Sequence, residues 1–157
     1  MYHFFSEHEH IHDTYIDIVG SDVNHIKNVL RLKTGDSLLI SSGDNIDYTC
    51  HIAQIDEEHI RADIDSVDER GRELASKIYL FQGLPKADKM ELVIQKAVEL
   101  GAFEVIPVAM KRSVVKLDAK KAESKVKRWN AIAESAAKQS KRSILPQVSD
   151  VVTFAQA

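Results

Sequence analysis

Between Lys111 and Arg142 the chain carries 11 Lys or Arg against 3 Asp or Glu. Lys121, Lys125 and Arg128 are spaced by four and three, which puts them on one face of a helix. Cations so arranged can track a line of phosphates, giving affinity that falls with salt and ignores base sequence. The alternative is a solvated helix side. Arg112 follows a strand end, where open α/β sheets place their sites. Its guanidinium can grip a phosphate through two parallel bonds or stabilise negative charge developing on an oxygen. Gln139 and Arg142, three apart, share one side near a helix end; alternatively, Arg142 only complements the helix dipole. Glu99 lies three residues from Lys96 and four from Gln95, so it can orient that lysine or a substrate amide, or form a surface ion pair. Lys86 and Lys89 flank a helix start whose free amides favour anions, which suits a phosphate contact or ordinary surface lysines.

The first half of the chain offers less. Lys27, Arg31 and Lys33 gather half of its positive charge. His8, His10 and His12 alternate with Glu7, Glu9 and Asp13 interleaved, so a strand would bring all three imidazoles to one side, as a transition metal needs. No cysteine assists and no fourth ligand is fixed by spacing, so an exposed polar segment is preferred and no metal is assigned. Cys50 sits in the alternating run IDYTCHIAQI and reads as a core residue.

The elements that must position these groups follow from periodicity and capping. Residues 84–107 read LPKADKMELVIQKAVELGAFEVIP. Asp88 is the predicted N-cap, Glu91 sits at capping-box distance, and Gly101 takes the left-handed closing position. Met90, Ile94, Ala97 and Val98 form the apolar stripe. With the strands KIYLF at 77–81 and FEVIPV at 103–108, this makes a strand–helix–strand unit of a parallel sheet. A long helix is predicted from Asp118 to Lys141, burying Ala122, Val126, Trp129, Ala133, Ala136 and Ala137, and Pro146 closes the segment. Upstream, a short helix over Asp22–Leu30 with Asp22 as N-cap leads into strands at 37–42, 46–55 and 59–67, which suit a small barrel.

Composition divides the chain near residues 72–75. Residues 1–73 hold 6 Lys or Arg against 16 Asp or Glu, while the remainder carries a balance of +7. All seven histidines precede residue 60. Domains at 1–73 and 74–157 are predicted. One cysteine excludes an intrachain disulfide and fits a reducing compartment, and no segment reads as a signal peptide or membrane span, so the expected location is the cytoplasm.

The wording of four blocks goes further. HIKNVLRLKTGD at 25–36, LPKADKMELVIQKAVELGAFEVIPV at 84–108, KRSVVKL at 111–117 and AAKQSKRSILP at 136–146 lie in one order and together resemble the bacterial methyltransferases that modify a uridine N3 in 16S ribosomal RNA. The resemblance implies an α/β chain, with a small PUA-like β-barrel followed by the first part of an α/β-knot (SPOUT) parallel-sheet domain. It implies S-adenosylmethionine as methyl donor, 16S rRNA or the small ribosomal subunit as partner, and a homodimer. Lys27, Arg31, Lys33, Lys86, Lys89, Lys121, Lys125 and Arg128 then become RNA contacts, and Glu99, Gln139 and Arg142 neighbours of the active site. Arg112 becomes the catalytic candidate, since methylation at N3 must favour the uracil anion and a nearby cation does so. Members of that family also carry a glycine-rich GPEGG-type loop and a segment near LR-x-ET, which hold the donor; neither occurs in this sequence. The chain is therefore expected to be the first part of such an enzyme. A non-enzymatic RNA-binding protein, and a knotted methyltransferase acting on another RNA, are the alternatives.

Overall fold

A computed structural model describes residues 1–86, 89–111 and 118–157, with the backbone alone at residue 119. Contacts divide the chain into two compact units, Met1–Glu73 and Leu74–Ala157.

The first unit is a five-stranded sheet in the order β1-β3-β4-β5-β2, formed by Tyr2–Phe5 (β1), Tyr15–Val19 (β2), Ser37–Ser41 (β3), Asp47–Ile55 (β4) and His59–Asp68 (β5). Alternation drives the pairing. Cys50 and Ile52 of β4 and Ile60 and Ala62 of β5 are fully buried and share one face, with Cys50 opposite Ile64 and Ile52 opposite Ala62. Register shifts between Thr49 and Cys50 and between Ile52 and Gln54 add local twist, and the sheet curls into a half-barrel. β1 runs parallel to β3; every other pair is antiparallel. Val23 and Ile26 plug the curl beside Ile16, Ile18, Leu38 and Ile40. The two N-terminal strands escape a reading from periodicity, because the run between them is polar and one of them pairs parallel.

The predicted 22–30 helix is corrected in two respects. The helix α1 spans Ser21–Asn24 and is capped by Gly20, whose φ of 69° requires glycine, so Asp22 lies inside the first turn, where its charge suits the dipole. His25–Val29 then widens into a π-helical turn, with Leu30 N–H donating to His25 O at 2.9 Å.

The second unit is a parallel sheet. β6 (Tyr79–Gly83), β7 (Glu104–Ala109) and β8 (Gln147–Val148) lie in that order, and β9 (Val152–Thr153) also pairs with β7. Helix α2 (Lys89–Glu99) connects β6 to β7, and α3 (Ala119–Ser140) connects β7 to β8. α2 buries Met90, Ile94 and Val98, one per turn, each contributing about 1.5–3 kcal/mol of apolar transfer. Its end is a Schellman motif: Ala102 N–H donates to Ala97 O at 2.9 Å and Gly101 N–H to Val98 O at 3.1 Å, with Gly101 at φ 101°. α3 is capped by Asp118, whose carboxylate accepts from Lys121 N–H at 2.8 Å. Trp129, Ala133, Ala136 and Ala137 are buried, and the alanines let α3 approach its neighbours closely. The predicted cap at Asp88 lies outside the described residues.

Candidate nucleic-acid interface

Capping and burial of one face decide what α3 offers to solvent. With Trp129 and Ala133 turned inward, Lys120, Lys121, Lys125, Lys127 and Arg128 all stand exposed. The structure thus brings Lys121, Lys125 and Arg128 together as their spacing predicts. Two of these cations are partly engaged: Lys121 pairs with Asp118 at 3.2 Å, and Arg128 reaches across to Glu91 of α2 at 2.7 Å. Glu91 therefore ties α2 to α3. Lys86 and Lys89 are exposed near the start of α2. The catalytic candidate Arg112 lies outside the described residues.

The structure gives each of the three candidates of the active-site neighbourhood a definite local setting. Gln139 is exposed but Arg142 is buried at 6 % exposure, so the pair does not share a face. The reason is the end of α3. Lys141 adopts the left-handed conformation at φ 56°, and Arg142 N–H turns back to Ala137 O at 2.9 Å. The Arg142 guanidinium then donates to Val98 O at 2.7 Å and Ala102 O at 3.0 Å, closing the C-terminal end of α2. Arg142 complements a helix dipole, but that of the neighbouring helix. Glu99 accepts from Lys96 Nζ at 2.7 Å and Gln95 Nε2 at 3.0 Å, and the Lys96 bond holds its carboxyl below the ordinary value. It forms the surface ion pair that spacing allowed.

In the first unit Lys27 is committed: its ammonium donates to Asp56 O at 2.6 Å, pinning the β4–β5 turn. Arg31 is exposed at φ 55°, and Lys33 is exposed while its backbone N–H donates to Asp36 at 2.7 Å. His8–His10 is a short 3-10 turn, so the strand that would align three imidazoles does not form. His8 pairs with Asp44 at 3.3 Å, His10 with Glu9 at 3.5 Å and His12 with Asp17 at 3.3 Å.

Two features escape sequence reasoning. His3 Nε2 is hydrogen-bonded to Ser41 Oγ at 2.7 Å, and Ser41 donates on to Asp47 at 2.5 Å, a buried chain that also meets Arg72 at 3.7 Å. The other is a cleft of ≈ 390 Å³ between α1 with its π-helical turn and the β4–β5 turn. Burial, with Asp65 and Asp63 adding to it, pushes the Cys50 thiol up to about 12, as a core residue requires. Among the described residues, no helix is long and apolar enough to cross a membrane.

Known proteins share this build. A family model described as an RNA methyltransferase domain matches residues 72–157, and one described as an RNA methyltransferase PUA domain matches residues 18–65. With over half of its length matched by the first of these models, the chain belongs to the RNA methyltransferase family. Ribosomal RNA small subunit methyltransferase E of Bacillus subtilis is 43% identical over 139 residues, covering 88% of this chain and 54% of that protein. Its counterpart in Synechocystis is 28% identical over 94% of this chain and 47% of that protein. The chain spans about half the length of the curated relatives it matches. The crystal structure of a ribosomal RNA small subunit methyltransferase E from Neisseria gonorrhoeae, bound to S-adenosyl methionine, superposes with a TM-score of 0.86 at 28% identity, covering 99% of this chain and 64% of that one. The fold is that of these enzymes: a PUA-like half-barrel followed by SPOUT-type α/β structure.

Proposed function

We propose that this chain forms the RNA-binding unit and the first part of the catalytic domain of an S-adenosylmethionine-dependent methyltransferase acting on a uridine N3 of 16S rRNA. The observation that carries the reading is that both family models fall on their own compact units in the expected order. The enzyme works in the cytoplasm as a homodimer, as the resemblance implies, and the lone buried cysteine suits that compartment.

Binding falls to cations. Lys121, Lys125 and Arg128 on α3, with Lys86 and Lys89 near α2, follow the RNA backbone, while Arg31 and Lys33 hold it on the half-barrel. The domain boundary near residues 72–75 separates these tasks. Arg112 follows the C-terminal end of β7, the edge at which parallel sheets build their sites. Its guanidinium stabilises negative charge on a uracil oxygen as N3 releases its proton to solvent water. Among the described residues, those just beyond β6 and β7 are Leu84, Pro85, Lys86, Met110 and Lys111, which do not by themselves make a donor-binding set.

Labelled S-adenosylmethionine and small ribosomal subunits, followed by mass mapping of the rRNA, test this with the gene product that carries the chain. The expected product is 3-methyluridine. Methyl found on another base, on ribose or only on transfer RNA overturns the substrate, and RNA binding without methyl transfer overturns the enzyme.

A further inference from the structure

The cleft between α1 with its π-helical turn and the β4–β5 turn has no task in the reading above. Its volume of ≈ 390 Å³ falls in the range of small-ligand pockets. One wall is the helix side with Asn24, Lys27 and Asn28; the other is Glu57 and Glu58. Val23, at 4 % exposure, is an apolar lining residue. The walls are braced. Lys27 clamps the opposite turn through Asp56 O, and Asn28 Nδ2 donates to Asn24 Oδ1 at 2.7 Å across the π-helical turn. π-helical turns are rare and concentrate at functional sites.

The charge pattern disfavours a phosphate as occupant, since Glu57 and Glu58 both line the space. It favours a planar group that offers N–H donors to a carboxylate and a carbonyl oxygen to a cation. Lys27 keeps two further ammonium hydrogens beyond its bond to Asp56, and the Asn24 amide can donate as well. Among nucleobases, guanine alone carries two adjacent N–H donors, N1–H and N2–H2, beside a carbonyl, O6. Sequence-specific RNA recognition reads such edges on unpaired bases.

We propose that this cleft is a specificity site for one unpaired guanine of the RNA substrate, with Glu57 or Glu58 accepting from N1–H and N2–H2 and Lys27 donating to O6. The proposal rests on the RNA-methyltransferase reading only for RNA being the ligand. Phosphates flanking that base meet Arg31 and Lys33, outside the carboxylate wall. Specificity thus comes from a unit whose net charge of −10 argues against broad backbone binding.

Fluorescence anisotropy of the full chain tests it, with short oligouridines carrying a single guest guanosine, adenosine, cytidine or inosine. The guanosine guest binds about tenfold tighter than adenosine or cytidine, the scale of one bidentate contact. Inosine, which lacks the N2 amine, loses most of that advantage. The double variant Glu57→Gln, Glu58→Gln erases the preference, although overall affinity rises as repulsion is relieved; the ratio between guests is therefore the readout. Both positions lie in an exposed turn, and an unchanged melting curve shows that the variant is folded. Equal binding of all guests, inosine as tight as guanosine, or a preference surviving the double variant each overturns the pocket while leaving RNA binding intact. Failure to bind any oligonucleotide at low salt overturns RNA as the ligand, and the pocket with it.

Discussion

Replacing Arg142 by alanine strips two charge-assisted bonds from the end of α2, those to Val98 O and Ala102 O. Both carbonyls belong to buried residues, and Arg142 itself is buried, so water does not replace the guanidinium freely. A hydrogen bond to a charged group contributes about 1.5–3 kcal/mol, so the pair amounts to roughly 3–6 kcal/mol. A unit of this size is held together by about 4–13 kcal/mol in total. The variant therefore loses a large share of its stability, and its melting temperature falls by at least about 12 °C. Arg142→Lys keeps the charge but not the planar, longer guanidinium, and falls between the two. Trp129 is the only tryptophan, lies buried in the same unit, and reports its unfolding by emission during urea titration. An Arg142→Ala midpoint within about 0.5 kcal/mol of the parent refutes this account. A loss of RNA affinity or methyl transfer in Arg142→Ala below its melting temperature would give Arg142 the active-site role that the resemblance implies.

Lys121→Ala and Lys125→Ala should each lower the slope of log affinity against log salt by about 0.7 on single-stranded RNA, read by titration at several salt concentrations. Arg128→Ala should lower it less, because Glu91 already shares that charge. Arg112→Ala in the intact enzyme should cut methyl transfer far more than RNA affinity; equal losses in both would leave it only a positioning role. For Cys50 the sign follows from its raised value: the folded thiol stays protonated while the unfolded one ionises above about 9, so stability falls as pH rises from about 9 towards 12. The slope is roughly 1 kcal/mol per pH unit, seen in denaturation midpoints against pH, and Cys50→Ala should flatten it.

Helix α2 is legible in the sequence because three signals agree there: an apolar residue each turn, a glycine at the end, and flanking strands. The alternating runs of β4 and β5 are legible for the same reason, since a one-residue slip would turn Cys50 and Ile52 outward. Arg142 is not legible. Its burial depends on a left-handed lysine, where a glycine would have announced the turn, and on carbonyls 40 and 44 residues away. The π-helical turn leaves no periodic trace in five residues, and with it the cleft stays hidden. The hydrogen-bonded chain from His3 to Asp47 joins residues that no local pattern relates.

The half-barrel's two edge strands carry a consequence for how the chain is made. β1 and β2 emerge first from the ribosome, yet β1 pairs with β3 and β2 with β5, whose last residue is Asp68. At 5–20 residues per second, β2 waits about 2–10 s for its partner strand β5. During that interval Ile16 and Ile18, later core residues, have no partner strand to join. The polar run EHEHIHD between those strands separates the two apolar stretches while they wait, and discourages their collapse onto each other or onto a neighbouring nascent chain.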